Sequence, residues 1–207
     1  MSLVRLKIRI DNNVNDILNQ LPQDLIINGT VMDPIMGGGQ FVKEIERRKR
    51  AAGKTDDEIA ATVFGIEENI IRRNYAVNNW KLKGTYVVGN ALKMNFDNKT
   101  FDIVIGNTPF SFRETHPISG KKTKITDDRH SKKYLTKAVD LCTSNVAMMM
   151  SFNHRTCSPT MMEKYRSQGL YKIEKIRIRD SNTNVDEYTG VYYFNRSKIA
   201  ATVLVDE

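Results

Sequence analysis

The sequence predicts a single α/β domain of three layers, with helices on both faces of a mostly parallel sheet. Short apolar runs rich in β-branched residues recur along the chain, and such runs are typical of strands buried on both faces. Segments with the apolar spacing of amphipathic helices lie between them, and this alternation indicates a parallel sheet. A chain of 207 residues is long enough to bury one sizeable core.

Composition narrows the class of protein. The formal net charge of +8 and a pI near 9.4 suggest an acidic partner, with nucleic acid first. No apolar run approaches the roughly 18 residues that span a bilayer, and the N-terminus lacks the apolar region of a secretory signal. Cys142 and Cys157 have neither metal-site spacing nor a disulfide framework. We therefore expect a cytoplasmic protein with reduced thiols, no metal site and no membrane contact.

The first half of the chain begins with alternating apolar and basic residues, which predict an edge strand or an extended arm. Thr55 and Glu58 have the spacing of a capping box, and Gly53 is a plausible end cap for the helix before it. The expected strands cover 4–10, 30–32, 62–66 and 85–88, and the expected helices cover 13–21, 41–50, 56–61 and 68–79.

The second half contains an apolar strand that begins at Phe101, the fourth after residue 29, and then a basic stretch. Residues 111–133 show no clear periodicity and carry seven cations against three acids, so we predict a loop that orders over nucleic acid. Met148–Met150 read as core filler. Helices are expected over 134–142 and 160–168, strands over 145–152 and 173–179, and a terminal hairpin over 191–194 and 200–205.

Four features stand at the ends of four successive predicted strands. The first is the glycine loop after residue 32, where three glycines let the backbone approach a ligand and a helix begins. Glu67 can accept hydrogen bonds from both hydroxyls of a ribose, and Asn90 offers a donor and an acceptor to an adenine edge. The fourth is the turn that starts at Asn107. Together these features predict a site for an adenosine-bearing cofactor.

The turn Asn107-Thr108-Pro109-Phe110 follows the fourth strand. Its amide and aromatic ring suit the holding and stacking of an extruded nucleobase. The simpler interpretation is an ordinary turn after a buried strand. A dinucleotide site fits less well, because the loop lacks the usual third glycine and Glu67 lies further on than the roughly 20 residues typical of that fingerprint. It would also leave the turn without a role.

The residues of this site resemble a known family, the S-adenosylmethionine-dependent adenine-specific DNA methyltransferases. The loop Asp33-Pro34-Ile35-Met36-Gly37-Gly38-Gly39 resembles their first motif, and Asn107-Thr108-Pro109-Phe110 resembles their catalytic Asn-Pro-Pro-Phe. Phe64–Glu67 and Gly89–Leu92 resemble the second and third motifs. The glycine loop precedes the catalytic turn, as in the gamma-type order. The resemblance extends from Val31 to Val205.

The resemblance implies a Rossmann-like methyltransferase fold, a seven-stranded sheet with an antiparallel last strand, one strand fewer than the eight that we expect after residue 29. It implies S-adenosylmethionine as cofactor, held by Asp33, Pro34, Gly37, Gly38, Gly39, Glu67, Asn90, Ala91 and Asn107. The Asn107 side chain and the carbonyl of residue 108 would accept hydrogen bonds from the adenine amino group. Phe110 would stack on the flipped base.

Two departures from the family pattern affect the expectation. Asn90 stands where Asp is usual, which keeps an acceptor. Thr108 replaces the first proline, which predicts a less rigid turn and reduced or absent activity.

The extent of the protein leaves further alternatives open. We expect one catalytic domain over 1–207 without a separate target-recognition domain. Recognition would come from a missing domain, from a specificity subunit, or from residues 111–133. DNA is the expected substrate, with RNA or a protein glutamine as alternatives, and a cofactor-binding core without turnover also stays open.

Overall fold

A computed structural model describes residues 14–108, 112–115, 122–125, 128–151, 158–179 and 186–197. Its elements in chain order are α1 (14–19), α2 (Gln23–Asn28), β1 (Val31–Asp33), α3 (Gln40–Ala51), α4 (Asp56–Thr62), β2 (Val63–Glu67), α5 (Ile70–Trp80), β3 (Thr85–Val88), β4 (Phe101–Asn107), β5 (Phe112–Thr115), β6 (Lys122–Ile125), α6 (Asp128–Leu141), β7 (Cys142–Ser151), α7 (Pro159–Ser167), β8 (Leu170–Arg179) and β9 (Asp186–Asn195). Within these ranges no helix is both long and apolar enough to cross a bilayer.

Seven strands form one sheet in the order β3-β2-β1-β4-β7-β9-β8. Neighbours from β3 to β7 are parallel, whereas β9 runs antiparallel to both β7 and β8. This arrangement confirms the expected fold class, including the single reversed strand. Because β1 to β4 are parallel, their carboxyl ends meet at one edge of the sheet, where ligands bind in open α/β folds.

Two apolar cores lie on opposite faces of the sheet. Consecutive strand residues alternate between them: Val31 and Ile103 belong to one core, and Met32 and Val104 to the other. Helices α1 to α3 contribute to the first core, and α6 and α7 to the second. The three layers are therefore confirmed. The methionine run belongs to both cores, which confirms its interpretation as core filler.

The predicted helix signals around α4 are confirmed. The amide of Glu58 donates to Thr55 Oγ1 at 3.2 Å, and the Thr55 amide donates to Glu58 Oε2 at 2.8 Å. These two bonds complete the capping box. Gly53 follows α3 with φ +85°, the left-handed conformation of a glycine end cap.

The basic stretch 111–133 is not the loop that we predicted. It contains a two-stranded antiparallel ribbon, β5 and β6, and the first turn and a half of α6. Each strand is only four residues long and carries charged residues, so the alternation of apolar and polar residues that indicates a strand is not visible. The six-residue helix α2 was also missed. It buries only Ile26, which is too little to produce a periodic pattern.

The predicted terminal hairpin is wrong for residues 191–194. Both edges of β9 are paired, with β7 on one side and β8 on the other. This strand therefore has no free edge for pairing with a third strand. Residues 200–205 and the predicted strand 4–10 lie outside the described residues.

Candidate active site

The glycine loop connects β1 to α3 with two residues in the left-handed region. Gly37 has φ +53° and Gly39 has φ +80°. A Cβ on Gly39 would lie 3.1 Å from the Cβ of Ala76, so this glycine lets α5 pack against the loop. Among the described residues, a Cβ on Gly37 would meet only the carbonyl of Ile35, at 3.9 Å, so these residues leave open space beside the backbone.

Trp80 fixes this loop from α5, and sequence reasoning missed it. Its indole Nε1 donates to the carbonyl of Gly38 at 3.0 Å. The Lys43 ammonium lies 3.8 Å from the ring centroid, in a cation–π contact. The chain contains one tryptophan, and its position at the end of the predicted helix was the available signal.

Asp33 ends β1 with its carboxyl buried, 1% exposed, and buried Pro34 follows it. Its Oδ1 accepts from the amide of Ile35 at 2.9 Å. A Cβ on Gly106 would lie 3.2 Å from this oxygen, so β4 passes close to the carboxyl. Burial raises the pKa of Asp33 from 3.8 to about 7; the Ile35 hydrogen bond opposes this rise, and the charge of Glu67 adds to it.

Glu67 ends β2 beside Asp33 and is 5% exposed. Its Oε1 accepts from the amide of Asn69 at 2.9 Å, and the guanidinium of Arg72 lies 3.7 Å from the same oxygen. Within the part of the chain that the structure describes, Oε2 makes no hydrogen bond. One carboxylate oxygen is therefore held in place while the other is available to a ligand.

Asn90 lies after β3 at the same edge, but its amide is largely engaged. Its Oδ1 accepts from the amide of Leu92 at 2.9 Å, and its Nδ2 donates to Glu68 Oε1 at 3.2 Å. One further acceptor site on Oδ1 and one further hydrogen on Nδ2 are left for a ligand. Ala91 is 1% exposed and packs in the second core with Ile66.

Asn107 and Thr108 end β4 in opposite environments. Asn107 is exposed, and among the described residues its side-chain amide makes no hydrogen bond. Thr108 is 1% exposed. Its amide donates to the carbonyl of Met149 on β7 at 2.8 Å, and its hydroxyl lies 3.1 Å from that carbonyl and 3.1 Å from Ser131 Oγ on α6.

The structure thus brings most of the predicted site to one edge. The glycine loop, Asp33, Glu67, Asn90 and Asn107 all stand at the carboxyl ends of β1 to β4. Pro109 and Phe110 lie outside the described residues. Ser131 is a contact that sequence reasoning missed, because nothing in the basic stretch singled out one hydroxyl.

A mixed seven-stranded sheet with one reversed strand, and a glycine loop followed by acidic strand ends along one edge, define the class of S-adenosylmethionine-dependent methyltransferase folds. The sequence model of one family within this class, described as N-6 DNA methylase, matches residues 13–156. The chain belongs to the N-6 DNA methylase family. A search of curated proteins finds no match.

Solved structures share the fold at low sequence identity. A candidate RNA methyltransferase from Pyrococcus horikoshii has a TM-score of 0.60 and 19% identity, over 89% of this chain and 83% of its own. The type I restriction enzyme EcoKI M protein has a TM-score of 0.61 and 16% identity, over 84% of this chain and 43% of its own. Magnesium protoporphyrin IX methyltransferase from Synechocystis, with bound S-adenosylmethionine, has a TM-score of 0.61 and 12% identity, over 95% of this chain and 85% of its own. The chain therefore spans less than half of the EcoKI M protein.

Proposed function

We propose that the chain transfers a methyl group from S-adenosylmethionine to the exocyclic amino group of adenine in DNA. One observation carries the proposal. The exposed, uncommitted amide of Asn107 stands at the edge that also holds the glycine loop and the carboxyl of Glu67. An amide in that place can orient an amino group without a charged base.

The residues at this edge fit the proposed cofactor. Open space beside Gly37 accommodates the close approach of a ligand to the backbone, and the available oxygen of Glu67 accepts from ribose hydroxyls. Asp33, Pro34 and Gly38–Gly39 form the rest of the cradle, and Asn90 and Ala91 border the adenine. When bound, the cofactor supplies an electrophilic methyl group.

The chain's own contribution is positioning. The adenine amino group donates one hydrogen to Asn107 Oδ1 and the other to the carbonyl of residue 108. These two bonds direct the nitrogen lone pair at the methyl carbon. With the cofactor bound, the amino nitrogen would accept the methyl group in place of one proton, which would be lost to solvent. Phe110 stacks on the extruded base, and Pro109 shapes the turn.

DNA is the substrate that the chain's charge and family favour. The net charge of +8 and the basic ribbon after the turn suit a phosphate backbone better than a protein glutamine. The family description names DNA, whereas the Pyrococcus horikoshii neighbour is a candidate RNA enzyme. RNA adenine is therefore the second candidate, and a weakly active or inactive cofactor-binding core is the third.

We also propose that the target sequence is recognised outside this domain. The proposal includes the gamma-type motif order, because the glycine loop precedes the Asn107 turn in the sequence. The EcoKI M protein is one component of a type I restriction enzyme, and it is more than twice as long as the part that matches. A specificity subunit or a further recognition domain, in a restriction-modification system, would supply the sequence reading.

The proposal is tested by transfer of labelled methyl from S-adenosylmethionine to unmethylated DNA, to RNA and to a protein mixture. We expect label in DNA adenine. Asn107→Ala should lower turnover by about 10²–10³-fold, the range found when one positioned hydrogen-bonding group is removed from an active site. Cofactor affinity should stay unchanged, because the main partner of this amide is the substrate.

Asn78→Ala is the matched control, since Asn78 is an exposed asparagine on α5. It should keep full turnover. Full turnover in Asn107→Ala would sink the catalytic assignment. Label that enters RNA or protein and not DNA would overturn the substrate.

A further inference from the structure

Thr108 occupies the position where the resembling family has proline, and its contacts change what that departure means. The sequence predicts that threonine loosens the turn. In the structure the residue is 1% exposed, and it is tied to two other elements of the fold. These ties stabilise residue 108 in a way that the sequence does not predict.

The first tie is the backbone. The Thr108 amide donates to the carbonyl of Met149 on β7 at 2.8 Å, and this bond completes the last pair of the β4–β7 ladder, Asn107 with Met149. A proline has no amide hydrogen and could not make this bond. The backbone of Asn107, whose side-chain amide is the proposed catalytic group, is thereby fixed to β7 on both sides of this residue.

The second tie is the hydroxyl. Thr108 Oγ1 lies 3.1 Å from the Met149 carbonyl and 3.1 Å from Ser131 Oγ, and Ser131 is 1% exposed. Two buried hydroxyls in contact are costly to separate, because each would lose a partner that water does not replace. Ser131 lies on α6, which packs under β4 and β7. Helix, strand and turn thus converge on one side chain.

We propose that Ser131, through Thr108, is a positioning residue that holds the Asn107–Thr108 turn for reaction. The inference rests on the proposed function, because it assigns Asn107 Oδ1 and the carbonyl of residue 108 to the substrate amino group. The clamp of Thr108, Met149 and Ser131 performs the task that the ring of proline performs in the resembling turn. It fixes the direction of both acceptors by hydrogen bonds instead of by a covalent ring.

The test uses four variants of the whole chain. Ser131→Ala removes the partner hydroxyl. Thr108→Val keeps the shape of the side chain and the backbone amide but loses the hydroxyl, and Thr108→Ser keeps the hydroxyl. The double variant of Ser131→Ala and Thr108→Val completes a mutant cycle. Ser158→Ala is the control, because Ser158 precedes α7 and its side chain makes no capping bond. Two quantities are measured: amide exchange at Thr108 and steady-state methyl transfer.

We expect Ser131→Ala and Thr108→Val each to speed exchange of the Thr108 amide about tenfold, which corresponds to about 1.4 kcal/mol of lost local protection. Each should lower kcat by about 10-fold to 100-fold, as small misplacements of positioning groups do, with KM for S-adenosylmethionine unchanged. The double variant should be no worse than either single variant. Thr108→Ser should recover most of kcat.

The outcomes separate the clamp from the chemistry. Unchanged exchange in Ser131→Ala overturns the clamp. Faster exchange with unchanged kcat in an active enzyme overturns the positioning role, as does a KM that rises while kcat stays constant. If the unaltered chain methylates no substrate, faster exchange still supports the clamp, and the failure then belongs to the proposed function.

Discussion

The Asp33 carboxyl links the stability of the fold to pH. Its pKa is about 7 in the folded chain against 3.8 in the ordinary state, so the folded state binds the extra proton between these values. The contribution of Asp33 to stability is therefore fully present below pH 3.8 and is lost as pH rises through about 7. A buried carboxylate is then left with only partial compensation.

We expect Asp33→Asn to raise the melting temperature above pH 7, with the gain shrinking towards pH 3.8. An asparagine keeps an oxygen for the Ile35 amide and never ionises. Thermal unfolding of the ligand-free variant and parent across this range measures the difference. Asn78→Ala, an exposed change on α5 that alters no ionisable group, is the control. A gain from Asp33→Asn that is constant with pH would contradict the shifted carboxyl.

Glu67 and its neighbour Glu68 provide a matched pair for cofactor binding. Glu67 is buried with one oxygen available, whereas Glu68 is exposed and meets Asn90. Glu67→Ala should weaken S-adenosylmethionine binding at least tenfold, since a hydrogen bond to a charged group contributes about 1.5–3 kcal/mol. Glu68→Ala should change binding little. Titration calorimetry decides, and the reverse ranking would move the ribose contact to Glu68.

At the scale of an element, the ribbon of β5 and β6 has an unusual arrangement of charge. Its register places Arg113 opposite Lys124 and Thr115 opposite Lys122. Strand residues alternate between faces, so these four positions share one face of the ribbon. Like charges directly opposite each other destabilise a hairpin, and an anionic partner removes that penalty. A phosphate backbone beside the catalytic turn is such a partner.

Lys124→Glu tests this role without weakening the ribbon. The change places opposite charges at the Arg113 pair, which should favour the hairpin by about 0.2–1 kcal/mol. DNA affinity should nevertheless fall, and the slope of log affinity against log salt should decrease by about 1–2. Filter binding at several salt concentrations gives both quantities. Lys164→Ala on α7 is the control. Unchanged affinity and slope in Lys124→Glu would exclude the ribbon as a contact.

At the scale of the whole molecule, local patterns predicted the fold well where a strand buries both faces. The run from Phe101 to Asn107 and the capping box at Thr55 carry their structure in a few consecutive residues. A strand over 191–194 was also predicted. The position of this strand between β7 and β8 could not be predicted, because pairing between strands far apart in sequence leaves no local periodicity.

The site was predictable in kind but not in its contacts. Strand ends and glycines placed the glycine loop, Glu67 and Asn107 at one edge. Sequence could not show that Met149 and Ser131, 41 and 23 residues from Thr108, would meet its hydroxyl. Nor could it show that apolar Ile70, Ile71 and Tyr75 on α5 are exposed, 57%, 78% and 62% respectively. Helix α5 instead buries small Ala76 in the first core, and the partly buried Val77 and Trp80 pack against that core.

The reversed strand β9 also sets an order of assembly. Among the described strands, β8 reaches the sheet only through β9, although β8 is made first during synthesis. Residues 170–179 can therefore join the sheet only after residues 186–195 have been made. Until then the nascent chain presents an open edge on β7, and an open strand edge is a template for pairing with other chains. The strand that closes this edge of β7 is therefore the last described strand to be synthesised, so protection of the edge depends on completion of residues 186–195.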